Sequence, residues 1–125
     1  EYAKKTKDLI EQHELQDFVS IIHAPLIEYD INSTKYQWYS LDALKEIKSI
    51  DMVVVDGPPF YIQSKSRYPV IPLLYDKMSK GSSLILDDGN RKDEKSIVDL
   101  WSKEFKGLNF QYLELEAGVF IVHKK

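Results

Sequence analysis

Three acidic residues, Asp56, Asp87 and Asp88, lie directly after short apolar runs in this 125-residue chain. The runs are Met52–Val55 and Ser83–Leu86, and their β-branched or aliphatic side chains predict strands that are buried on both faces, as in a parallel sheet. A Gly-Pro-Pro segment follows Asp56 and ends the first strand, because proline cannot donate to a strand ladder. Open α/β sheets bind ligands at the carboxyl ends of their strands, so these three carboxylates are candidates for a functional site. The simpler alternative is that they cap turns and the next helix.

The composition sets the class of protein in which this chemistry would take place. A length of 125 residues suits one domain, and 43% hydrophobic with 30% charged residues is ordinary for a soluble globular protein. The net charge of −3 gives no electrostatic reason to expect nucleic acid or an anionic membrane as a partner. There is no cysteine, no apolar run of the roughly 20 residues that span a bilayer, and no signal-peptide pattern. We therefore expect a cytoplasmic protein without disulfides or thiolate metal sites.

The first third of the chain predicts a helix, a strand and a loop. Apolar residues recur at helical spacing from Tyr2 to His13, which is typical of an amphipathic helix. Phe18–Ile22 is predicted to be a strand that Pro25 closes. Residues 27–39 mix polar and aromatic side chains and are predicted to be a long loop.

The rest of the chain alternates between predicted helices and strands. The order α β α β α β α β β favours an α/β sandwich with a mostly parallel sheet that ends in an antiparallel hairpin. The predicted helices are three: a short one capped by Ser40 and carrying Leu41, Leu44 and Ile47, one carrying Val70, Leu74 and Met78 that stops at Lys80-Gly81, and one capped by Asn90 and carrying Ile97, Val98, Trp101 and Phe105. The predicted strands are the one before Asp56, Ser83–Leu86, Phe110–Leu115 and Val119–His123.

Two motifs resemble those of class I S-adenosylmethionine-dependent methyltransferases. They are Val55-Asp56-Gly57-Pro58-Pro59 and the later segment Leu86-Asp87-Asp88 with Arg91 and Glu94. The resemblance implies a three-layer, Rossmann-like sandwich with a C-terminal antiparallel hairpin. It also implies that residues 1–125 form one domain, corresponding to the C-terminal two-thirds of such an enzyme. Neither a glycine-rich turn nor a second acidic strand end precedes Tyr2, so we expect further residues upstream.

The resemblance also implies a cofactor site and a metal site. It places the adenine end of S-adenosylmethionine on His23, Ala24, Pro25 and Leu26, together with Asp56 and Gly57. In metal-dependent members, acids at the two strand ends bind magnesium, and the matching residues here are Asp56, Asp87 and Asp88. Three oxygen ligands suit a hard divalent cation such as Mg²⁺. The chain departs from that pattern because Asp88 replaces an amide and no lysine closely follows Asp56.

The implied function is O-methylation of a small-molecule or glycan-like acceptor. Asp56 would lie between cofactor and substrate, Asp87 and Asp88 would position the nucleophile, and Arg91 would face the substrate or support the structure. Lys65 and Arg67, on the loop after Pro59, would close over the site or bind an acidic substrate. Three alternatives stay open: a degenerate domain that acts as an association module, an amino-methyltransferase for nucleic-acid bases suggested by Gly57-Pro58-Pro59-Phe60, and a homo-oligomer formed through the final hairpin.

Overall fold

A computed structural model describes all residues, 1–125, and contains three α-helices and six strands. In chain order these are α1 (Tyr2–Gln12), β1 (Leu26–Ile31), β2 (Thr34–Tyr39), a 3₁₀ helix (Leu41–Leu44), β3 (Ile50–Val55), α2 (Val70–Leu74), a 3₁₀ turn (Tyr75–Lys77), β4 (Met78–Leu86), α3 (Lys92–Glu104), β5 (Leu108–Leu113) and β6 (Val119–Lys124).

The main sheet has four strands in the order β3-β4-β6-β5. β3 and β4 run parallel, with Val55 opposite Leu86, whereas β4–β6 and β5–β6 are antiparallel. A parallel pair needs a crossover connection, and here the crossover is the segment 56–77 that contains α2. This crossover brings the carboxyl ends of β3 and β4 to the same edge of the sheet.

One hydrophobic core joins the sheet to the helices. Val55, Leu84, Leu86 and Val122 alternate along their strands onto one face and are buried in a single cluster with residues of α2 and α3. The opposite face is open near β3, where Met52 and Val54 are largely exposed. β3 is also an edge strand, so one side of its backbone has no neighbouring strand.

A separate two-stranded sheet extends the core. β1 and β2 pair antiparallel around a two-residue turn in which Asn32 and Ser33 have φ values of 52° and 67°. Positive φ at both central residues is the geometry that two-residue hairpins favour, and asparagine tolerates it well. Tyr36 of β2 is buried against Tyr68, with ring centroids 5.1 Å apart.

The predicted fold class is wrong. The structure is not a three-layer, Rossmann-like sandwich, because β3–β4 is the only parallel pair and the strands form two separate sheets. The physical reason lies in the connections. A two-residue turn joins β1 to β2 and permits only antiparallel pairing, so residues 26–39 add no parallel strand to the main sheet. The antiparallel hairpin of β5 and β6 was predicted and is present.

Several predicted elements are also wrong. Phe18–Ile22 is not a strand; all five of its side chains are exposed and it pairs with nothing. Residues 27–39 are a hairpin rather than a loop. The helix expected to run to Met78 ends at Leu74, and Gly81 lies inside β4 with φ of 85°, where the register with β3 shifts. A bulge in a strand requires such a conformation, which glycine adopts without strain.

The predicted N-terminal helix is present, but it contributes nothing to the core. α1 has an amphipathic pattern, yet none of its residues is buried. The apolar side chains of Tyr2 and Leu9 therefore face solvent. No helix of the chain has the length and apolar character that crossing a membrane requires.

Trp101 connects α3 to the crossover. We predict that the hydrogen bond of its indole N–H stabilises the fold in addition to the packing of the side chain. The side chain is fully buried and Nε1 donates to the carbonyl of Tyr68 at 3.0 Å. Trp101→Phe should lower the unfolding free energy by about 2–3 kcal/mol, because it removes volume and leaves a buried carbonyl unpaired.

Trp38→Phe is the matched control, since Trp38 is also buried but makes no hydrogen bond within the chain through its indole. It should lose about 1 kcal/mol. Urea unfolding followed by circular dichroism measures both values, and equal losses would show that the hydrogen bond is unimportant.

Candidate functional site

The parallel strands β3 and β4 place three carboxylates together at one edge of the main sheet. The pairing continues one residue past Leu86, because the N–H of Asp87 donates to the carbonyl of Val55 at 3.2 Å. Asp87 therefore lies beside Asp56, and Asp88 follows. One carboxylate oxygen from each of the three acids lies within 4.8 Å of the others. We call Asp56, Asp87 and Asp88 the acid cluster.

A buried arginine faces this acid cluster. The side chain of Arg67 is only 5% exposed; its Nη1 lies 3.2 Å from Asp88 Oδ2 and its Nη2 lies 3.5 Å from Asp56 Oδ1. Nη1 also donates to the carbonyl of Asp87 at 3.2 Å. Asp88 is mostly buried whereas Asp56 is mostly exposed, so the contact with Asp88 is the less screened of the two.

The loop that carries Arg67 is fixed to its surroundings on three sides. Ser66 Oγ donates to the carbonyl of Pro58 at 3.0 Å, which holds the loop against the end of β3. The N–H of Lys65 donates to Asp93 of α3 at 2.8 Å. The side-chain amide of Gln63 exchanges two hydrogen bonds with the backbone of Gln37 on β2. Arg67 is therefore held by a pre-organised loop.

Asp88 is the point where two arginines meet. Arg91 Nη2 lies 3.3 Å from Asp88 Oδ2, the same oxygen that Arg67 contacts. Asp88 has φ of 58°, a left-handed conformation that non-glycine residues rarely adopt. Its N–H donates to Asp87 Oδ1 at 2.8 Å. Strained backbone of this kind is common at functional sites.

Glu94 is a buried carboxyl near the two arginines. It is 1% exposed, and its Oε2 has no hydrogen-bond partner. Burial raises the pKa of Glu94 above its ordinary value, although the charges of Arg67 and Arg91 act in the opposite direction. The same two arginines contact the acid cluster, so Glu94 belongs to the same group of charges.

An apolar cleft of about 640 Å³ begins at Asp56 and runs toward the N-terminal segment. Hydrophobic residues form 13 of its 17 lining positions, among them Trp38, Leu41 and Val53. A β-carbon added to Gly57, which lines the cleft, would lie 2.6 Å from Tyr39 Oη, so a larger residue there would displace the end of the Tyr39 side chain.

The structure brings together some of the residues that the resemblance assigned to a cofactor. His23, Ala24, Asp56 and Gly57 all line the apolar cleft, whereas Pro25 and Leu26 do not. The strand that was expected to position His23 is absent, so His23 and Ala24 reach the cleft on irregular backbone. The aromatic wall of the cleft was missed, because Trp38 and Tyr39 lie in the segment predicted to be a loop.

The acid cluster fits a hard divalent cation in donor type and spacing. All three groups offer oxygen, and ligands of one octahedral Mg²⁺ lie within a few ångströms of one another. Arg67 and Arg91 compete for the same carboxylates. Their contacts of 3.2–3.5 Å are longer than the roughly 2.7–2.9 Å of strong charge-assisted hydrogen bonds, so these contacts leave the oxygens partly available.

Comparison with known proteins returns no matching family model and no matching curated protein. Functional inference for this chain therefore depends on the cleft, the acid cluster and the charges around them.

We predict that Glu94 makes the stability of the protein pH-dependent. Its folded-state pKa is raised, so the folded state holds the Glu94 proton more tightly than the unfolded chain does. The contribution of Glu94 to the unfolding free energy is largest below the unfolded-state pKa of about 4.3. It decreases as the pH rises through the folded-state pKa. Glu94→Gln should therefore gain stability relative to wild type on going from about pH 4 to about pH 7.

Denaturant unfolding at a series of pH values measures this difference. Glu11→Gln, on the exposed side of α1, is the control and should run parallel to wild type. A Glu94→Gln variant that is destabilised equally at every pH would show that the carboxyl acts only through packing.

Proposed function

We propose that this chain belongs to an S-adenosylmethionine-dependent methyltransferase that methylates an oxygen of a small-molecule or glycan-like acceptor. The observation that carries the proposal is the position of Asp56, which lines the apolar cleft and also belongs to the acid cluster on the two strand ends whose motifs resemble those of such enzymes. The proposal depends on this site and not on the sheet, which lacks the family's parallel order.

The apolar cleft has the properties that the methyl donor requires. Its volume of about 640 Å³ lies within the range of about 300–1,000 Å³ that is usual for small-molecule sites. Apolar walls suit an adenine ring, and Asp56 at the mouth offers a carboxylate that accepts hydrogen bonds. Bound there, S-adenosylmethionine would supply an electrophilic methyl group.

The acid cluster would act on the acceptor. Methyl transfer to oxygen needs the acceptor hydroxyl aligned with the methyl carbon, and most of the acceleration comes from this alignment. Asp56 and Asp87 provide carboxylates that orient the hydroxyl and accept its proton. Arg67, which is buried and contacts both Asp56 and Asp88, would hold these two side chains in place.

A divalent cation such as Mg²⁺ is part of the proposal. Asp56, Asp87 and Asp88 would hold it, with water completing the coordination. A cation at this position lowers the pKa of a neighbouring hydroxyl and so reduces the demand on a protein base. Lysine does not occur between Asp56 and Ser64, so a basic residue of that kind is not available there.

We predict that Asp56→Asn weakens donor binding and removes methyl transfer. Losing one charge-assisted hydrogen bond should weaken binding about tenfold. Isothermal titration calorimetry with S-adenosylmethionine measures the affinity, and transfer of a labelled methyl group measures turnover. Asp30→Asn, on the exposed side of β1, is the control with the same change of charge.

Two outcomes would contradict this proposal. If the wild-type chain binds no S-adenosylmethionine, the donor site is assigned wrongly. If Asp56→Asn binds and turns over like Asp30→Asn, Asp56 has no part in the site.

We also predict that magnesium stabilises the folded protein through the acid cluster. A ligand that binds only the folded state raises the melting temperature as its concentration passes the dissociation constant. The double variant Asp87→Asn/Asp88→Asn should lose this rise, and differential scanning calorimetry with and without magnesium measures it. Potassium at matched ionic strength controls for screening, and an equal rise with both salts would contradict the metal site.

An association module is the second candidate function. The exposed apolar residues favour it: Tyr2 and Phe18 are more than 80% exposed, and Met52 and Val54 lie open on the sheet. Exposed apolar patches of this kind often mark interaction sites. A chain that fails to bind the methyl donor but self-associates in sedimentation velocity would favour this function over catalysis.

A further inference from the structure

A polar groove, separate from the apolar cleft, lies between the loop after β3 and α3. It consists of two adjoining depressions of about 600 and 610 Å³ that share Lys65, Lys92 and Ser96. Arg91 lines one depression and Lys95 lines the other. The walls are the loop after β3 and the first two turns of α3. We call this feature the basic groove.

The charge of the basic groove is positive although the chain as a whole carries −3. Four cationic side chains line it, those of Lys65, Arg91, Lys92 and Lys95, and the only acids are Asp93 and Asp99. Both acids are already engaged, Asp93 by the backbone N–H of Lys65 and Asp99 by Lys103.

The three lysines of the groove have no carboxylate partner. Among the ion pairs of the chain, none involves Lys65, Lys92 or Lys95. Elsewhere in the chain, two solvent-exposed lysines each form an ion pair with a carboxylate four positions away. Ammonium groups that line one groove repel one another, and an anion bound in the groove would relieve this repulsion.

The position of Lys65 is fixed at the expense of backbone strain. Its φ is 55°, in the left-handed region, and its N–H is tied to Asp93 at 2.8 Å. The side chain is half-buried against α3 instead of extending into solvent. A strained conformation of this kind persists only where the surrounding structure stabilises it, and such residues cluster at functional sites.

Phe60 lines the groove with an aromatic ring that is 61% exposed. The ring of Tyr61, 75% exposed, packs against it with centroids 5.9 Å apart. The guanidinium of Arg91 lies 5.5 Å from the centroid of Phe60, which orients both groups. Exposed ring faces offer apolar contact area to a sugar or a similar ring.

We propose that the basic groove binds the tetrahedral oxyanion of a phosphorylated or sulfated sugar, with the ring of the sugar against Phe60. A small anion matches the local cluster of cations, whereas the overall negative charge disfavours a long polyanion such as a nucleic acid.

The groove and the acid cluster are connected through Arg91. This residue contacts Asp88 on one side and lines the groove on the other. A sugar anchored by its oxyanion in the groove can therefore extend a hydroxyl toward Asp87 and Asp56. In this respect the inference rests on the proposed function, because it names the class of the acceptor for methyl transfer.

The test is an NMR titration of the ¹⁵N-labelled chain with inorganic phosphate, glucose 6-phosphate, glucose 6-sulfate and glucose, in the absence of any methyl donor. We expect saturable shifts at the amides of Lys65, Lys92 and Ser96 with the first three probes and none with glucose. Both sugar esters should bind more tightly than phosphate, and added salt should weaken all three. The relative affinities of the two esters distinguish phosphate from sulfate as the natural group.

Two triple variants separate a local site from a general charge effect. Lys65→Gln/Lys92→Gln/Lys95→Gln should weaken binding about tenfold or more, and Lys4→Gln/Lys5→Gln/Lys7→Gln on α1, with the same change of charge, should leave it unchanged. Phe60→Ala should reduce the affinity for the sugar esters to that for phosphate. Equal effects of the two triple variants, or shifts that do not saturate, would overturn the proposal.

The outcome is independent of the methyl-donor experiment. Binding of sugar esters without binding of S-adenosylmethionine would refute the proposed function and keep the groove as an anion site. Binding of S-adenosylmethionine without saturable binding of any anionic probe would refute the inference and leave the proposed function intact.

Discussion

The structure around the site depends on the pairing of one buried charge. Arg67 is almost completely removed from water, and an unpaired guanidinium in that position would cost several kcal/mol. Asp56 and Asp88 compensate it from the ends of two different strands. One carboxylate oxygen from each of the three acids lies within 4.8 Å of the others, and the guanidinium offsets their mutual repulsion. The buried charge therefore links the loop to the ends of β3 and β4.

This constraint explains why the loop after β3 is tied down so thoroughly. An arginine on a mobile loop would return to water, because solvation competes well with contacts of 3.2–3.5 Å. Hydrogen bonds from Gln63, Lys65 and Ser66 attach the loop to β2, α3 and the end of β3. The orphan Nε of Arg67 and Oε2 of Glu94 remain as unpaired polar atoms close to this assembly. Unsatisfied groups of this kind are found where binding or catalysis has precedence over stability.

The sequence was sufficient to predict the features that depend on local pattern. The apolar runs before Asp56 and Asp87 are strands, and both acids lie at one sheet edge because a crossover joins parallel strands. Ser40 caps its short helix as predicted, accepting from the N–H of Asp42. α1 and α3 lie where apolar periodicity placed them, since that signal is strong over three turns.

The features that failed depend on partners that no local pattern specifies. Phe18–Ile22 has strand composition but no neighbouring strand, so its backbone has nothing to pair with. The hairpin of β1 and β2 was missed because its turn, Asn32-Ser33, lacks the glycine that usually marks such turns. The central role of Arg67 arises from contacts across 11 and 21 positions of sequence. The sequence predicted that Arg67 closes over the site or binds an acidic substrate, whereas its burial against Asp56 and Asp88 was not predicted.

The apolar cleft and the basic groove differ in charge and in polarity. The apolar cleft offers hydrophobic walls and one carboxylate at its mouth, whereas the basic groove offers cations and aromatic rings. A neutral or weakly cationic ring system is stabilised on the first side, and an anion is repelled there by Asp56. An anion is stabilised on the second side, where Arg91 separates it from Asp88. In the proposed function, the cleft would favour the methyl donor and the groove an anionic acceptor, and methyl transfer would require their reactive ends to face each other.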